Sequence, residues 1–230
     1  MSFEDALRLT EALLAFALIQ QSLEHMASTL RDDRLLFAPR LVLGCLLLAS
    51  FAPGWVCLAL IGHSLVALRR FDGPYNGGSD RMTLLALMAL TAAHLAPAAA
   101  WKELALAYLA LQLTLSYLMS GAVKLANPDW RTGAALSDVF RFSAYPVSEG
   151  LRGLASRRLL LTVMSWLVIL FELLFPLGLL HPHALIGCLG VAAVFHFANA
   201  CLFGLNRFFW AWLAAFPSLL WLQERLIGGG

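Results

Sequence analysis

Charge is what this sequence has least of. Asp, Glu, Lys and Arg supply 13% of its 230 residues, and 60% are hydrophobic. A soluble domain runs nearer a quarter charged and half apolar, so a soluble fold is excluded. The formal charge of +2 is too small to recruit a nucleic acid or an acidic partner. Cysteine is scarce, and Cys45, Cys57, Cys188 and Cys201 all lie inside apolar runs. There they read as small buried side chains, not as a disulfide framework or a metal site. Cys-x-x-Cys, His-Glu-x-x-His and a glycine-rich phosphate loop are missing, so no metal or nucleotide chemistry is expected. The amino terminus opens Ser-Phe-Glu-Asp, without the basic region of a cleavable signal peptide. No repeat or low-complexity tract stands out.

What remains is a succession of uncharged runs with the length that a bilayer core demands of a helix. A first helix over 5–27 carries Glu11, Gln20, Gln21, Glu24 and His25 on a face that must look inward or lie near an interface. Residues 41–68 are uncharged but broken by Pro53-Gly54. One helix of that length would measure about 42 Å, against a hydrocarbon core of about 30 Å. Two helices, 35–51 and 55–70, fit better, with Pro53 and Gly54 supplying the turn. Residues 72–80, rich in Gly, Pro and Asn, specify a tight loop capping one end of the bundle. Runs over 82–101, 104–124, 159–180, 184–206 and 208–222 complete the set. Between them, 125–158 is too polar to span and reads as an amphipathic or re-entrant piece at the interface. The reading is an all-α polytopic membrane helix bundle of about eight transmembrane helices, with residues 1–230 as one domain.

Ionisable groups inside such runs each need an account. His63 and His94 fit structural hydrogen-bonding roles. Lys124 ends the run from Leu104, and Asn127-Pro128-Asp129 stops its helix, since proline disfavours the α region for the residue before it. Trp130 follows at the spacing of an interfacial anchor. A lysine there is either a snorkelling anchor or a buried functional amine. Glu172, His196 and Asn199 lie in two runs joined by the turn His181-Pro182-His183, hence on antiparallel neighbours. His196 and Asn199 share a helix face. Lys124, Glu172, His196 and Asn199 can form one cluster; the alternative is separate interhelical hydrogen bonds beside a snorkelling lysine.

Three segments resemble the HTTM family, the membrane domain shared by bacterial proteins and the vitamin K-dependent γ-glutamyl carboxylase. They are Ser120-Gly121-x-x-Lys124-Leu125 with Trp130-x-x-Gly133; Phe71-Asp72-Gly73-Pro74-Tyr75-Asn76-Gly77-Gly78-Ser79-Asp80; and His196-x-x-Asn199-x-x-x-Phe203-Gly204. The resemblance spans residues 60–220. It implies Lys124 as the base that deprotonates a reduced, vitamin K-like quinone, with His196 as a second catalytic residue. It also implies that Asn199, Glu172 and Trp130 bind substrate. A peptide glutamate substrate is not expected, because no large lumenal domain follows the bundle. Charge counting puts Lys124 near the cytoplasmic face, whereas the carboxylase acts on lumenal substrates. Either one placement fails or the site is reached from the middle of the membrane.

Two functions follow. One is a carboxylase-like membrane enzyme acting on a quinone or another lipid-soluble small molecule. The other is a non-enzymatic membrane subunit assisting maturation or transport of a partner protein or peptide. The bilayer is the common partner, and richness in Ala and Leu points to a bacterial inner membrane. With eight helices, 13 of the 16 Lys and Arg residues fall on one face. The positive-inside rule then places both termini outside and 125–158 in the cytoplasm. Reporter fusions at Gly230 and near Arg152 test this: the expected result is cytoplasmic activity near Arg152 only, and cytoplasmic activity at Gly230 would overturn the topology.

Overall fold

The structure, a computed structural model, describes residues 1–70, 78–143 and 145–228. Among them every regular element is a helix: α1 (Phe3–Met26), α2 (Arg31–Leu48), α3 (Pro53–Arg70), α4 (Gly78–Leu95), α5 (Ala99–Ala126), α6 (Pro128–Arg131), α7 (Ala134–Phe142), α8 (Pro146–Leu151), α9 (Arg158–Leu174), α10 (Pro182–Phe203) and α11 (Asn206–Ile227), with 3-10 turns at Arg152–Ser156 and Phe175–Leu180. Eight described helices reach 17 residues or more, in the order expected from the uncharged runs. Three stretches are long and apolar enough to cross a membrane: Ala99–Ala126, Arg158–Leu180 and Pro182–Phe203.

Boundaries moved where local chemistry outweighed the hydrophobic pattern. Pro53 does not make the turn between α2 and α3. It opens α3, where its missing N–H costs nothing, and the turn runs through Ser50 and Ala52, both at positive φ. Gly54 sits inside α3, where a Cβ would meet His94 and Leu95 of α4 at 2.8–2.9 Å. Helix α4 starts at Gly78, earlier than Met82, so the last residues of the glycine loop are helical. The rest of that loop, 71–77, lies outside the described residues. Of the four cysteines only Cys57 is buried; Cys45 and Cys201 are exposed, and all four are free thiols. Burial was expected because the runs are apolar, but a helix in lipid keeps apolar residues on its outer face as well as its inner one.

The chain divides into two compact units, Met1–Leu111 with Arg207–Gly230, and Gln112–Asn206. In the first, Glu11 of α1 is buried and accepts from His94 of α4 and from Arg8 Nη1, at 3.2 Å. Arg8 also donates to the Leu47 and Leu48 carbonyls at the end of α2, which have no partner within their own helix. His63 donates to the Leu36 carbonyl at 2.7 Å. Both histidines thus make bonds between helices. Phe3 and Phe16 pack edge-on or tilted against Trp221 and Trp210 of α11.

In the second unit, 127–157 folds back along α9. Asn127 caps α6, its side chain accepting from the Asp129 amide at 2.9 Å, with Pro128 at the first helical position. The carbonyls ending α6 are then met by α9: Ser165 donates to Trp130, Trp166 to Arg131 at 3.1 Å, and Thr162 to Thr132 at 2.8 Å. A short helix beside an apolar span is tolerable only when its backbone is satisfied in this way. Arg152 closes the far end, bonding the Arg141 and Ser143 carbonyls while it holds both Glu149 carboxylate oxygens. That contact keeps Glu149 below the usual carboxylate range. Gly133 makes the fold-back fit: its φ is +77, and a Cβ there would lie 2.6 Å from the Thr162 amide nitrogen. Gly133→Ala combines left-handed strain with backbone overlap and is expected to cost about 1–3 kcal/mol or more. Thermal unfolding in detergent checks this; an unchanged melting temperature would show that α6 is not held against α9.

Candidate functional site

The polar residues of the second unit converge because three helices each bury one stripe. On α5, Tyr117, Ser120, Gly121 and Lys124 lie three or four residues apart and share a face. On α9 the buried residues are Leu161, Ser165, Ile169 and Glu172. On α10 they are Leu185, Leu189, Ala192 and His196. Gly121 sets the contact between α5 and α9, since a Cβ would stand 2.9 Å from the Leu173 amide nitrogen and 3.0 Å from the Glu172 Cβ. With only hydrogen there, the backbones approach closely. Lys124, one turn further, is then brought to the Glu172 carboxylate.

The contact is two-pronged. Lys124 Nζ donates to Glu172 Oε2 at 2.7 Å and to Oε1 at 2.8 Å. It donates as well to Ser120 Oγ, which donates in turn to Glu172 Oε1 at 3.2 Å. The ammonium sits 5.1 Å from the centroid of the Trp130 ring, a cation–π distance. The side chains are 15% and 4% exposed. Both charges are thus withdrawn from solvent and each meets the other. Two turns away on α5, Tyr117 Oη and His196 Nε2 share a hydrogen bond of 3.0 Å. The Tyr117 ring stacks on Phe175 at 4.1 Å between centroids.

Axial position follows from helix rise. Glu172 is 14 residues beyond Arg158, about 21 Å at 1.5 Å per residue. It is about 16 Å short of His181, allowing for the 3-10 rise of 175–180. The ion pair therefore lies inside the apolar length of Arg158–Leu180 and not at an end. The snorkelling reading of Lys124 assumed that its helix ends at water. Instead the chain turns into α6 alongside α9, and the ammonium turns inward to a carboxylate. Its chain neighbours Ala122, Val123, Leu125 and Ala126 are exposed; the desolvation of Lys124 comes from Gly121, Trp130 and α9.

Of the residues singled out from the sequence, Lys124, Glu172 and Trp130 are assembled. His196 is tied to α5 through Tyr117. Asn199 is half-buried one turn beyond His196; its carbonyl accepts the Leu205 amide at 3.3 Å just past the end of α10, and no described hydrogen bond uses its side chain. Ser120 and Gly121 belonged to the quoted motif without a stated role. Tyr117 was overlooked, although its spacing to Ser120 and Lys124 would have put it on their face.

The HTTM domain model matches residues 87–223. The chain belongs to the HTTM family. The match contains every assembled residue and the other two motifs, and starts after the 71–80 segment. No curated protein and no solved structure matches the chain. This HTTM protein is accordingly a membrane protein.

A buried pair stabilises weakly, because desolvation offsets attraction, whereas breaking it strands a charge. Lys124→Met or Glu172→Leu alone is expected to destabilise by roughly 3–5 kcal/mol. The double variant is expected to recover most of that loss. Unfolding of the three variants in detergent measures it; a double variant as unstable as the sum of the singles would show that the pair is a structural necessity.

Proposed function

We propose that this HTTM protein is a bacterial inner-membrane enzyme, with both termini outside. It removes a proton from the hydroxyl of a lipid-soluble substrate of the quinol class. The observation that carries the reading is the Lys124–Glu172 pair, enclosed with Ser120 and Trp130 inside an apolar span. Such a pair contributes little net stability, and ionisable groups at this position mark reaction or transport sites.

Lys124 can act as a base only as the neutral amine, yet the geometry pairs it with a carboxylate as an ion pair. The geometry offers a route around that conflict. At low dielectric, a proton shift from Nζ to a Glu172 oxygen 2.7 Å away turns two buried charges into two neutral groups. The amine then takes the substrate proton and, as ammonium, holds the oxyanion beside it. Ser120 bonds both partners and keeps them aligned. Trp130 favours the cationic form of Lys124 after transfer. Tyr117 and His196 provide a second donor–acceptor pair for the far end of a two-oxygen ring, with Asn199 at the following turn. A reduced, vitamin K-like quinone has those two hydroxyls and the solubility to arrive through lipid.

Lys124→Arg separates this role from anchoring. Arginine keeps the ion pair but cannot release its proton. The variant is expected to express and fold near normally and to abolish the base-dependent oxidation of a reduced menaquinone analogue to its quinone by added dioxygen, which is reduced to hydrogen peroxide, followed in proteoliposomes as quinol consumption above the protein-free rate. Full activity in Lys124→Arg would reduce the lysine to a structural cation and overturn the base role.

A further inference from the structure

We propose that the first unit carries a second, separate site: a pocket for a phosphate-type oxyanion, held by Arg40, Arg207 and Ser64. A cavity of about 70 Å³ opens where α1 and α3 end and α2, α4 and α11 begin. By the roughly 10–15 Å³ a water needs, it has room for about five small heavy atoms. Arg40 lines it and is 4% exposed. One guanidinium nitrogen, Nη2, donates to Gln21 Oε1 at 2.7 Å, and the guanidinium carbon lies 5.6 Å from the Phe37 ring centroid. Among the described residues its Nε has no partner, and neither does Ser64 Oγ of α3. Two buried polar groups that line one cavity without a partner each carry a desolvation cost that only a ligand or water relieves. Arg207 enters from α11 and donates to His25 Nε2 at 2.8 Å. Among the described lining residues Asp80 is the one carboxylate, set against two guanidiniums.

The chemistry selects the occupant. Two forked guanidiniums and a hydroxyl suit an acceptor with several oxygens and negative charge. Arg31, Arg34 and Arg81 belong to helix starts at this same end, the face read as cytoplasmic. The anionic headgroups of that leaflet are attracted to such a face. A phospholipid phosphate and free phosphate share this chemistry, and the pocket shares no lining residue with the Lys124 site.

The test uses the full chain purified into phosphatidylcholine nanodiscs at fixed ionic strength. Inorganic phosphate is titrated in one arm; in the other, phosphatidylglycerol replaces part of the phosphatidylcholine. Thermal unfolding is read in both, because a ligand of the folded state raises the melting temperature. A rise with phosphatidylglycerol alone identifies a headgroup site, and a rise with phosphate identifies a small-anion site. Either supports the pocket, provided that Arg207→Gln weakens the response about tenfold or more, as loss of a charged hydrogen bond should. Arg207 is only half-buried, so this variant is expected to fold even where Arg40→Gln does not. No rise in either arm, or the same rise in Arg207→Gln, overturns the proposal.

Discussion

A lysine and a glutamate facing each other inside an apolar bundle is the constraint from which the second unit follows. Neither charge tolerates the interior alone, since an unpaired buried ion costs several kcal/mol. Each is acceptable only if the other arrives within hydrogen-bond distance. That requirement explains Gly121, whose missing side chain lets α5 and α9 approach. It explains Ser120, which accepts from the ammonium and donates to the carboxylate. It also explains why α5 stops where it does: a further helical turn would carry Trp130 away from the ammonium.

The fold-back of α6 is the second consequence. Once α5 ends beside the middle of α9, the chain must return along an apolar helix, where free carbonyls find no water. Thr162, Ser165 and Trp166 supply three donors from three neighbouring positions of α9. Gly133 gives the close, left-handed turn that puts the carbonyls in range. The spacing Trp130-x-x-Gly133 is thus a docking pattern as much as a binding one. Its tryptophan faces the lysine, and its glycine faces the helix that carries the glutamate.

This division of labour decides what was legible in the sequence. The long helices were readable where an uncharged run is bounded by charge, since such a run has one inexpensive conformation in a bilayer. Glu172 was conspicuous as the single carboxylate in its run, and Lys124 as the cation ending another. Axial counting left their meeting as one of two readings, beside a snorkelling lysine. Treating the end of an apolar run as the water boundary placed Lys124 at a membrane surface, and only the α6 fold-back moves it inward. Tyr117 was hidden for a different reason. A tyrosine in an apolar helix resembles any core aromatic until its hydroxyl is seen on His196. Pro53 misled because proline breaks a helix and also begins one; which it does depends on the residues before it.

Comparing the two buried glutamates clarifies why one reads as chemistry and the other as architecture. Glu11 also sits in an apolar bundle with partners on both sides, Arg8 and His94. But Arg8 spends its other donors on the last carbonyls of α2, and a guanidinium does not release its proton. That network joins α1, α2 and α4 and has no proton to give away through its cation. In the Lys124–Glu172 pair, the remaining contacts of the cation are a hydroxyl and an aromatic face, neither of which closes a helix end. Its ammonium can release a proton to a carboxylate that already touches it. The same economy of buried charge yields a strut where the cation is arginine and a candidate base where it is lysine, and the identity of that one side chain is what puts the proposed site in the second unit.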